Sequence, residues 1–447
     1  MRKLLVIGID AASWEIIRAA EKVSKIPAIQ KLISSGDCRK LRSTIPAHSA
    51  PAWTSAFTGV NPGKHGVFDF FKWERFERKL VHSGDVKARY VWDIAGASGK
   101  RSIVVNVPMT YPPSPLNGTM ISGIPAPSES SNFTYPAELA QKLPTFGYRI
   151  DPKHSNIEED YASLINAEKA RTETMSYLMK SLDWDLAIIV FTALDRIQHR
   201  YWYVSPDLRD SRQNKIIEAY NQIDSYVSTI LEASPRETEI IVISDHGFTG
   251  CNGVFYVNEW LQRHGFLKGR TTQTKKVLRS LGITREGLKR KTPRTLIQKM
   301  PKSVSRAIPT KNQAREDIDW SSTSAWLSSP GGQGIIINPD KEKKDYDQIK
   351  ESLSKTLGEV VWKDDGPVLK AALPRGKVYW GPHVDSGPDI VLALSDGWRV
   401  SESMAKPIME KSDEGWHHRE AYSLGMAVSP KMVICRPRLS FGISRRL

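Results

Sequence analysis

Short apolar runs alternate along this chain with longer stretches in which apolar residues recur at helical spacing. The apolar runs predict buried strands at residues 3–10, 102–107, 186–191 and 239–244. The helical spacing predicts helices at residues 14–34, 159–182 and 212–233. Pro27 is expected to kink or end the first helix, because proline removes a backbone donor. Such alternation is typical of an α/β fold with a mostly parallel sheet sandwiched by helices.

A basic segment interrupts this pattern in the second half of the chain. Residues 268–315 contain fifteen Lys or Arg and a single acid, Glu286. The whole chain of 447 residues carries a net charge of +15, so the remainder is close to neutral. After the segment, strands are predicted at residues 324–338, 389–394 and 427–435. We therefore predict one α/β domain formed by residues 1–267 and 319–435, with a basic helical insertion or cap at residues 268–318.

The basic segment has two open interpretations. It contains two short apolar patterns, at residues 277–281 and 295–304, separated by turn and charged residues. One interpretation is a solvated cap that attracts anionic substrates. The other is a surface that binds nucleic acid or anionic lipid, with the α/β domain as an inactive scaffold. The segment lacks the interleaved aromatic residues expected for stacking on single strands, which favours the cap.

The sequence favours a cytoplasmic protein. Its longest apolar run, at residues 186–194, is too short to span a bilayer. The first residues lead directly into the first predicted strand, without an apolar region of signal-peptide length. The cysteines are few, widely spaced and odd in number, which argues against a disulfide framework and fits a reducing compartment. They are Cys38, Cys251 and Cys435.

The stretch that begins at Ser49 predicts a short helix with a polar group at its start. Ser49 suits the N-cap position, Pro51 the first turn, and Gly59 the left-handed position that closes a helix. The free N–H groups and the dipole at a helix start can bind a phosphoryl oxygen. Alone, Ser49 is interpreted as a structural cap. Beside a divalent cation, the same hydroxyl can be held as an alkoxide and attack phosphorus.

Acidic residues and histidines follow the predicted strands. They are Asp10 after the first strand, Asp195 and His199 after residues 186–191, Asp245 and His246 after residues 239–244, and His417 or His418 late in the chain. Singly, each has a structural alternative. Asp10 can cap a helix, Asp195 with His199 can form an exposed turn, and the strand at residues 239–244 can end in a tight turn at Gly247.

Taken together, these residues predict a metal site. The carboxyl ends of parallel strands meet at one edge of a sheet, where ligands bind. In a helix, Asp195 and His199 would share a face and could bind one metal ion. Two ions about 4 Å apart can stabilise the attacking and leaving oxygens of an in-line displacement. The set therefore predicts metal-activated attack of Ser49 on a phosphate ester.

The chain resembles the alkaline phosphatase superfamily, in particular its type I phosphodiesterase/nucleotide pyrophosphatase branch and the predicted phosphohydrolase/phosphomutase relatives. The resemblance rests on residues 8–10, 49–66, 195–199, 245–247 and 417–419, and covers the chain from its first strand to about residue 429. It implies an alkaline-phosphatase-like catalytic domain. It also implies two divalent ions, with zinc favoured and manganese or magnesium as alternatives.

The resemblance also assigns roles to residues. One ion would be held by Asp10, Ser49, Asp245 and His246. The other would be held by Asp195, His199 and a late histidine, with His417 ranked ahead of His418. Ser49 would be transiently phosphorylated or nucleotidylated. The substrate would be a phosphate-ester small molecule or a nucleotide.

Three departures from the family pattern limit this transfer. Nucleotide pyrophosphatases usually carry threonine as the nucleophile, whereas this chain has Ser49. They also place an asparagine beyond the His65-Gly66 pair, where this chain has residues 67–70 without one. Phosphoryl oxygens would then be stabilised by backbone N–H groups, by Lys64 or by another cation. Trp53 stands where a sulfatase has arginine, which makes a sulfatase a poor second choice. We therefore favour a phosphodiesterase, with a phosphomonoesterase or phosphomutase as the alternative.

Other aromatic residues and histidines near these motifs are interpreted as structural. Trp53, Trp92 and Trp202 are expected to pack in the core, although Trp202 can also line a substrate pocket. His48, His65 and His383 are expected to be hydrogen-bonding or surface residues.

Overall fold

The computed structural model describes residues 2–23, 26–150, 152, 157–202, 214–270, 318–362, 366–404, 407–412, 415–418 and 423–428. The strands are β1 Leu4–Ile9, β2 Asp37–Leu41, β3 Phe71–Glu74, β4 Glu77–Leu80, β5 Ser102–Val107, β6 Gly118–Ser122, β7 Thr134–Tyr135, β8 Leu186–Phe191, β9 Glu239–Ile243, β10 Gly247–Gly250, β11 Gly253–Tyr256, β12 Ala325–Leu327, β13 Gly334–Ile337, β14 Leu369–Pro374, β15 Ile390–Leu394, β16 Trp398–Ser401, β17 Met409–Lys411, β18 Gly415–His418 and β19 Ser423–Val428.

The α-helices are α1 Trp14–Val23, α2 Pro27–Ser35, α3 Ser49–Thr58, α4 Pro62–His65, α5 Val91–Ala97, α6 Ile157–Ser181, α7 Ala193–Tyr201, α8 Asn214–Ala233, α9 Val257–Arg263, α10 Lys343–Gly358 and α11 Arg375–Val378. Short 3-10 helices occupy Ser83–Asp85, Ala137–Gln141, Leu143–Phe146 and Val384–Ser386.

An eight-stranded sheet has the order β2-β19-β9-β1-β8-β5-β6-β7. The five strands from β9 to β6 are parallel to one another. The outer strands β2, β19 and β7 pair antiparallel. The predicted α/β class with a mostly parallel sheet is confirmed. Because β1 lies between β8 and β9, the carboxyl ends of these three strands meet at one edge.

Helices cover both faces of this sheet. Leu5 and Ile7 of β1 pack in the core that contains α1, α2, α6 and α8. Val6, which points to the other face, packs with Trp53 of α3 and Trp92 of α5. Side chains alternate between the faces of a strand, so a strand buried on both sides must be apolar throughout. This is why the short apolar runs predicted these strands correctly.

The predicted helix at residues 14–34 is two helices in the structure. Pro27 occupies the first turn of α2, where its missing N–H costs little. No side chain next to α2 caps its start. Asp224 of α8 accepts hydrogen bonds from the amides of Ala28, at 3.2 Å, and Ile29, at 2.7 Å. A carboxylate from another helix thus satisfies the first amides of α2.

A second core lies against a four-stranded antiparallel sheet with the order β12-β13-β15-β14. The return to strands predicted at residues 324–338 corresponds to β12 and β13, which pair antiparallel. The connection between them contains Gly331 and Gly332, and Gln333 has a positive φ of 44°. The connection approaches the candidate site described below.

The ends of the basic segment lie side by side. Gly269 and Ile318 pair as an isolated antiparallel bridge, as an insertion into a continuous domain requires. Residues 271–317, with both short apolar patterns, are outside the described residues, and so are residues 429–435 of the last predicted strand. The insertion and the division into domains stay predictions. In the part of the chain that is described, no helix is both long and apolar enough to cross a membrane.

Candidate active site

The residues predicted to form the site come from separate elements that meet at the carboxyl edge of the large sheet. Asp10 directly follows β1, and Asp245 with His246 follows β9. Helix α7, which carries Asp195 and His199, follows β8. Gly247 begins β10 and is not among the glycines with positive φ, so the alternative of a tight turn at this position is wrong.

Ser49 is the first residue of α3 and does not cap it. The N-cap residue is His48, and it makes no side-chain capping bond. The Ser49 hydroxyl instead lies 3.4 Å from Asp10 Oδ1 and 3.2 Å from His246 Nε2. Gly59 ends the helix with φ 70°, as predicted. The structural alternative for Ser49 is therefore wrong, and its hydroxyl is directed to the acidic cluster.

Asp10 does not cap a helix either. Its Oδ2 accepts a hydrogen bond of 3.0 Å from Trp53 Nε1. Trp53 is fully buried, and a Cβ on Gly8 would lie 2.6 Å from its ring. Gly8 thus makes room for the indole that holds Asp10. Sequence reasoning missed this role, although the spacing of four residues between Ser49 and Trp53 places both on one face of a helix.

Asp245 and His246 are held by backbone groups. Asp245 Oδ1 accepts from the Ala11 amide at 3.2 Å, and Ala11 has a left-handed φ of 59° that a non-glycine residue rarely adopts. His246 Nδ1 lies 3.0 Å from the Gly247 carbonyl. Because a carbonyl only accepts, Nδ1 carries the hydrogen, and Nε2 faces the cluster. Nε2 lies 3.6 Å from Asp10 Oδ1 and 3.3 Å from Asp245 Oδ2.

The electrostatics of this cluster favour a bound cation. Burial, Asp245 and Asp195 raise the pKa of Asp10 well above its usual range. Burial also raises the pKa of Asp245 to about 7. Asp245 Oδ2 is buried and, within the described residues, accepts no hydrogen bond. Asp10, Asp245 and His246 each offer a ligand atom, all within 4.8 Å of one another. Carboxylate oxygens and imidazole nitrogens are common zinc ligands, so this donor set fits a divalent cation.

Asp195 and His199 form the second part of the candidate site. Both lie on α7, as predicted, with His199 Nε2 3.5 Å from Asp195 Oδ1. Their side chains are 19% and 28% exposed, in contrast to the buried first cluster. Gln198 of α7 donates to the Ala11 carbonyl at 3.1 Å, which places the helix beside the loop after β1. The charge of Asp195 helps to raise the pKa of both Asp10 and Asp245. His199 also contacts Phe248 of β10 edge to face, with 4.8 Å between ring centroids.

The late histidines lie on β18, which pairs antiparallel with β10. His418 is opposite Gly247, and His417 is opposite Phe248. The backbone of both is thus adjacent to the strand that starts after His246. Their side chains are outside the described part of the structure, so the choice of His417 over His418 stays a prediction.

His48 connects the start of α3 to the connection between β12 and β13. It is buried, and burial together with His246 lowers its pKa to about 3. Its Nδ1 lies 3.8 Å from Asp69 Oδ1, and a Cβ on Gly331 would lie 2.3 Å from its Nε2. From the sequence, His48 is expected to be a hydrogen-bonding or surface residue. The connection between β12 and β13 therefore approaches the residue before Ser49.

Asp69 occupies the region where nucleotide pyrophosphatases place an asparagine. Its carboxyl group accepts hydrogen bonds from the Phe70 amide, at 2.6 Å, and from the Ser329 hydroxyl. Burial raises its pKa to about 6. These contacts use the carboxylate within the protein, so Asp69 has the environment of a structural residue. Lys64 is exposed on α4. This helix follows the C-terminal end of α3, whereas Ser49 lies at the N-terminal end.

Trp92, Trp202 and His65 lie in packed environments, and their interpretation as structural residues stays a prediction. Trp92 and Trp202 are buried, and Trp202 packs against Phe248. His65 is buried, lies 2.9 Å from the Ser55 hydroxyl and accepts from the Val67 amide. Cys38 and Cys251 are free thiols. Cys435 is outside the described residues.

The fold thus places a serine, two carboxylates and a histidine together at the carboxyl edge of a parallel-rich sheet. The sequence matches the family described as type I phosphodiesterase / nucleotide pyrophosphatase over residues 4–420, and the chain belongs to this family. The resemblance to the alkaline phosphatase superfamily is confirmed. A search with the sequence among curated proteins found no match.

Solved structures of this superfamily have the same fold. Phosphonoacetate hydrolase from Sinorhizobium meliloti in complex with phosphonoformate gives a TM-score of 0.59 at 14% identity, covering 98% of this chain and 92% of that chain. Murine ectonucleotide pyrophosphatase / phosphodiesterase 5 gives 0.55 at 12% identity, covering 96% and 88%. Alkaline phosphatase PafA gives 0.54 at 12% identity, covering 96% and 91%. At these identities the similarity concerns the fold.

Proposed function

We propose that this protein hydrolyses a phosphodiester or nucleotide-type phosphate ester, with Ser49 as the nucleophile and divalent cations bound at the sheet edge. The observation that carries the proposal is the Ser49 hydroxyl within 3.4 Å of Asp10 Oδ1 and 3.2 Å of His246 Nε2. A hydroxyl at the start of a helix, beside a buried carboxyl and a buried imidazole, has the surroundings of an activated nucleophile. Family membership supports phosphoester hydrolysis as the class of reaction.

The candidate ligands divide between two cations. Asp10, Ser49, Asp245 and His246 would hold one, and Asp195, His199 and His417 or His418 the other. When bound, the cations supply Lewis-acid stabilisation of charge on the attacking and leaving oxygens. Zinc is the favoured ion, with manganese or magnesium as alternatives.

The protein's own groups prepare Ser49 for attack on phosphorus. His246 Nε2 faces the Ser49 hydroxyl because its Nδ1 donates to Gly247, so its one lone pair is available beside Ser49: it can accept from that hydroxyl in the metal-free chain and would be the cation ligand when a cation is bound. Trp53 fixes the orientation of Asp10. The first amides of α3, including that of Ala50, have no partner one turn earlier in the helix. They can donate to a phosphoryl oxygen at the positive end of the helix dipole.

The preference for a diester rests on family membership and on one neighbour. An inactive form of murine ectonucleotide pyrophosphatase / phosphodiesterase 5 has been solved in complex with AMP, at a TM-score of 0.55 and 13% identity. The absence of an asparagine between residues 67 and 70 and the serine at position 49 leave a monoesterase or phosphomutase as the alternative.

A panel of nitrophenyl phosphates tests the proposal. The purified chain is stripped of metal, supplied with Zn²⁺, Mn²⁺ or Mg²⁺, and assayed with bis- and mono-nitrophenyl phosphate. Faster turnover of the diester is expected, and the Ser49→Ala variant should lose activity by at least about 10³-fold because the nucleophile is absent. Acid-quenched wild-type protein should carry phosphate or nucleotide on Ser49, detectable by mass spectrometry.

Controls separate the outcomes. Ser55→Ala removes another buried hydroxyl of the same helix, one that contacts His65, and should retain activity. Preferential turnover of the monoester would select the alternative. If neither compound were hydrolysed with any ion, and Ser49→Ala changed nothing on other phosphate esters, the proposed hydrolysis would be rejected.

The late histidine requires its own comparison. His417→Ala and His418→Ala are tested for metal content and activity. We expect His417→Ala to lose one of two bound ions and His418→Ala to retain both, and the reverse result would assign His418.

A further inference from the structure

Helix α7 carries the more exposed half of the candidate site, yet nothing next to it in sequence caps its start. Its N-cap residue is Thr192, which makes no side-chain capping bond and has backbone angles of φ −114° and ψ −3°. The first amides of a helix lack partners one turn earlier and need an acceptor when they are buried. The acceptor for α7 has to come from another part of the chain.

Glu168 of α6 supplies that acceptor. Its Oε1 accepts hydrogen bonds from the amides of Thr192 and Ala193, each 2.7 Å long. The side chain of Glu168 is completely buried. A carboxylate at this point also interacts favourably with the positive end of the helix dipole. One residue of α6 therefore fixes the position at which α7 begins, only two residues before Asp195.

Arg171 compensates the buried charge of Glu168. Its Nη1 lies 2.9 Å from Glu168 Oε2 and donates to Thr192 Oγ1 at 3.2 Å. Its Nη2 donates to the carbonyls of Ile150, at 2.7 Å, and Arg149, at 3.2 Å. Buried charges are costly unless they are paired and hydrogen-bonded. Here the two charges are paired, and Glu168 Oε1 and both Nη atoms of Arg171 are hydrogen-bonded. The guanidinium holds Glu168 and Thr192 together as one unit.

Helix α7 is attached to the first cluster as well. Gln198 Nε2 donates to the Ala11 carbonyl at 3.1 Å, and Ala11 directly follows Asp10. The helix that bears Asp195 and His199 is thus fixed at its start by Glu168 and in its middle by the loop after β1. A displacement at Thr192 would move Asp195 relative to Asp10 and Ser49.

We propose that Glu168 and Arg171 are positioning residues that set the distance between the Asp195–His199 pair and the Ser49 cluster, and so determine the affinity for the second cation. This inference rests on the proposed function. The pair touches neither substrate nor cation. Partners that orient metal ligands typically change metal affinity by about 10–100-fold when they are removed.

Metal binding by Glu168→Gln is the test. Glu168→Gln keeps an oxygen that can accept from the amides but removes the charge that Arg171 and the helix start require. Binding of Zn²⁺ and of Mn²⁺ to the metal-free full-length chain is measured by titration calorimetry and metal analysis. We expect the second equivalent to bind about 10–100-fold more weakly, and the first to be unchanged. Hydrogen exchange of the metal-free chain should show faster exchange at Thr192 and Ala193.

The chain offers a matched control. Asp224 caps α2 as Glu168 caps α7, with a carboxylate from another helix that accepts from two first amides. Helix α2 carries no candidate ligand. Asp224→Asn should lower the denaturation midpoint and leave both metal affinities unchanged. Thr192→Val removes only the hydroxyl bonded to Arg171 and is the milder variant should Glu168→Gln not fold. It should also lower the affinity for the second metal equivalent.

The outcomes are distinguishable. If Glu168→Gln and Thr192→Val bound both equivalents as tightly as the wild type and only unfolded more readily, the pair would be merely structural and the inference would be overturned. The same conclusion would follow if Asp224→Asn weakened the second equivalent equally. If the wild-type chain bound no second cation, the proposed two-cation function would itself fail.

Discussion

The two halves of the candidate site are constructed in opposite ways. Asp10, Ser49 and Asp245 come from three elements, and they are 2%, 6% and 5% exposed. Asp195 and His199 come from one turn of one helix, with side chains that are 19% and 28% exposed. The first half is preorganised by buried contacts in the large sheet. The second depends on where a single helix is placed, so its binding properties should be easier to change from a distance.

The largest expected effect comes from removing one carboxylate in each half. Asp10→Asn and Asp195→Asn should each lower kcat by about 10³-fold, because cation stabilisation of the transition state is worth several kcal/mol. Metal analysis after dialysis should differ between them. Asp10→Asn should lose the cation of the buried half, and Asp195→Asn should lose the cation of the half on α7. If either variant lost both ions, the two halves would be one cooperative site.

The pH dependence of the metal-free protein should come from the buried half. The pKa of Asp245 is raised to about 7 by burial, so below that pH the folded chain binds a proton that the unfolded chain gives up near pH 4. This stabilisation is fully present below about pH 4 and is lost as the pH rises through 7, by on the order of a few kcal/mol.

Thermal unfolding of the chelated chain between pH 5 and pH 8 measures this effect. Asp245→Asn should flatten the profile. Saturating Zn²⁺ should remove the loss of stability between about pH 4 and pH 7 and release protons on binding near pH 6, because the cation competes with the proton. A profile that Asp245→Asn left unchanged would contradict the assignment.

Contact between the β12–β13 connection and His48, the residue before Ser49, predicts an intermediate effect. Gly331→Ala would place a Cβ 2.3 Å from His48 Nε2, so the ring must move and shift Ser49. A displacement of about 1 Å can cost about 10²-fold in rate. His48→Ala removes the ring that Gly331→Ala would push. In the His48→Ala background, Gly331→Ala should therefore lower the rate little further.

Gly358→Ala is the control for that experiment, because a Cβ there would meet no atom within 4 Å. It should leave activity unchanged and slightly stabilise α10. Additive effects of Gly331→Ala and His48→Ala would show that the two residues act independently.

The smallest effect is expected from the hydrogen bond behind Asp10. Trp53→Phe keeps a ring against Gly8 and removes the donor to Asp10 Oδ2. We expect affinity for the buried cation to fall about tenfold, with a smaller change in the other equivalent. Trp92→Phe, in the same core, should affect stability alone. Equal loss of metal affinity in both variants would attribute the effect to packing.

Much of the fold could be predicted because it depends on local periodicity. Strands β5 and β8 begin and end where the apolar runs do. Asp195 and His199 are predicted to lie on one face of a helix, because a helix brings residues four apart onto one side. By contrast, the capping roles first considered for Asp10 and Ser49 were wrong. Whether a short polar side chain caps a helix or faces a cluster depends on what lies opposite, and for Ser49 that is His246.

The sequence by itself determined the strands, the helices, and the residue types that converge at one sheet edge, because side-chain alternation and helical spacing are written into neighbouring residues. Only the tertiary structure decided how those residues are held. The bond from Trp53 to Asp10, the approach of Gly331 to His48, and the cap that Glu168 gives α7 join positions that are distant in the chain. Such contacts depend on the order of strands and the packing of helices, which spacing along the sequence does not specify.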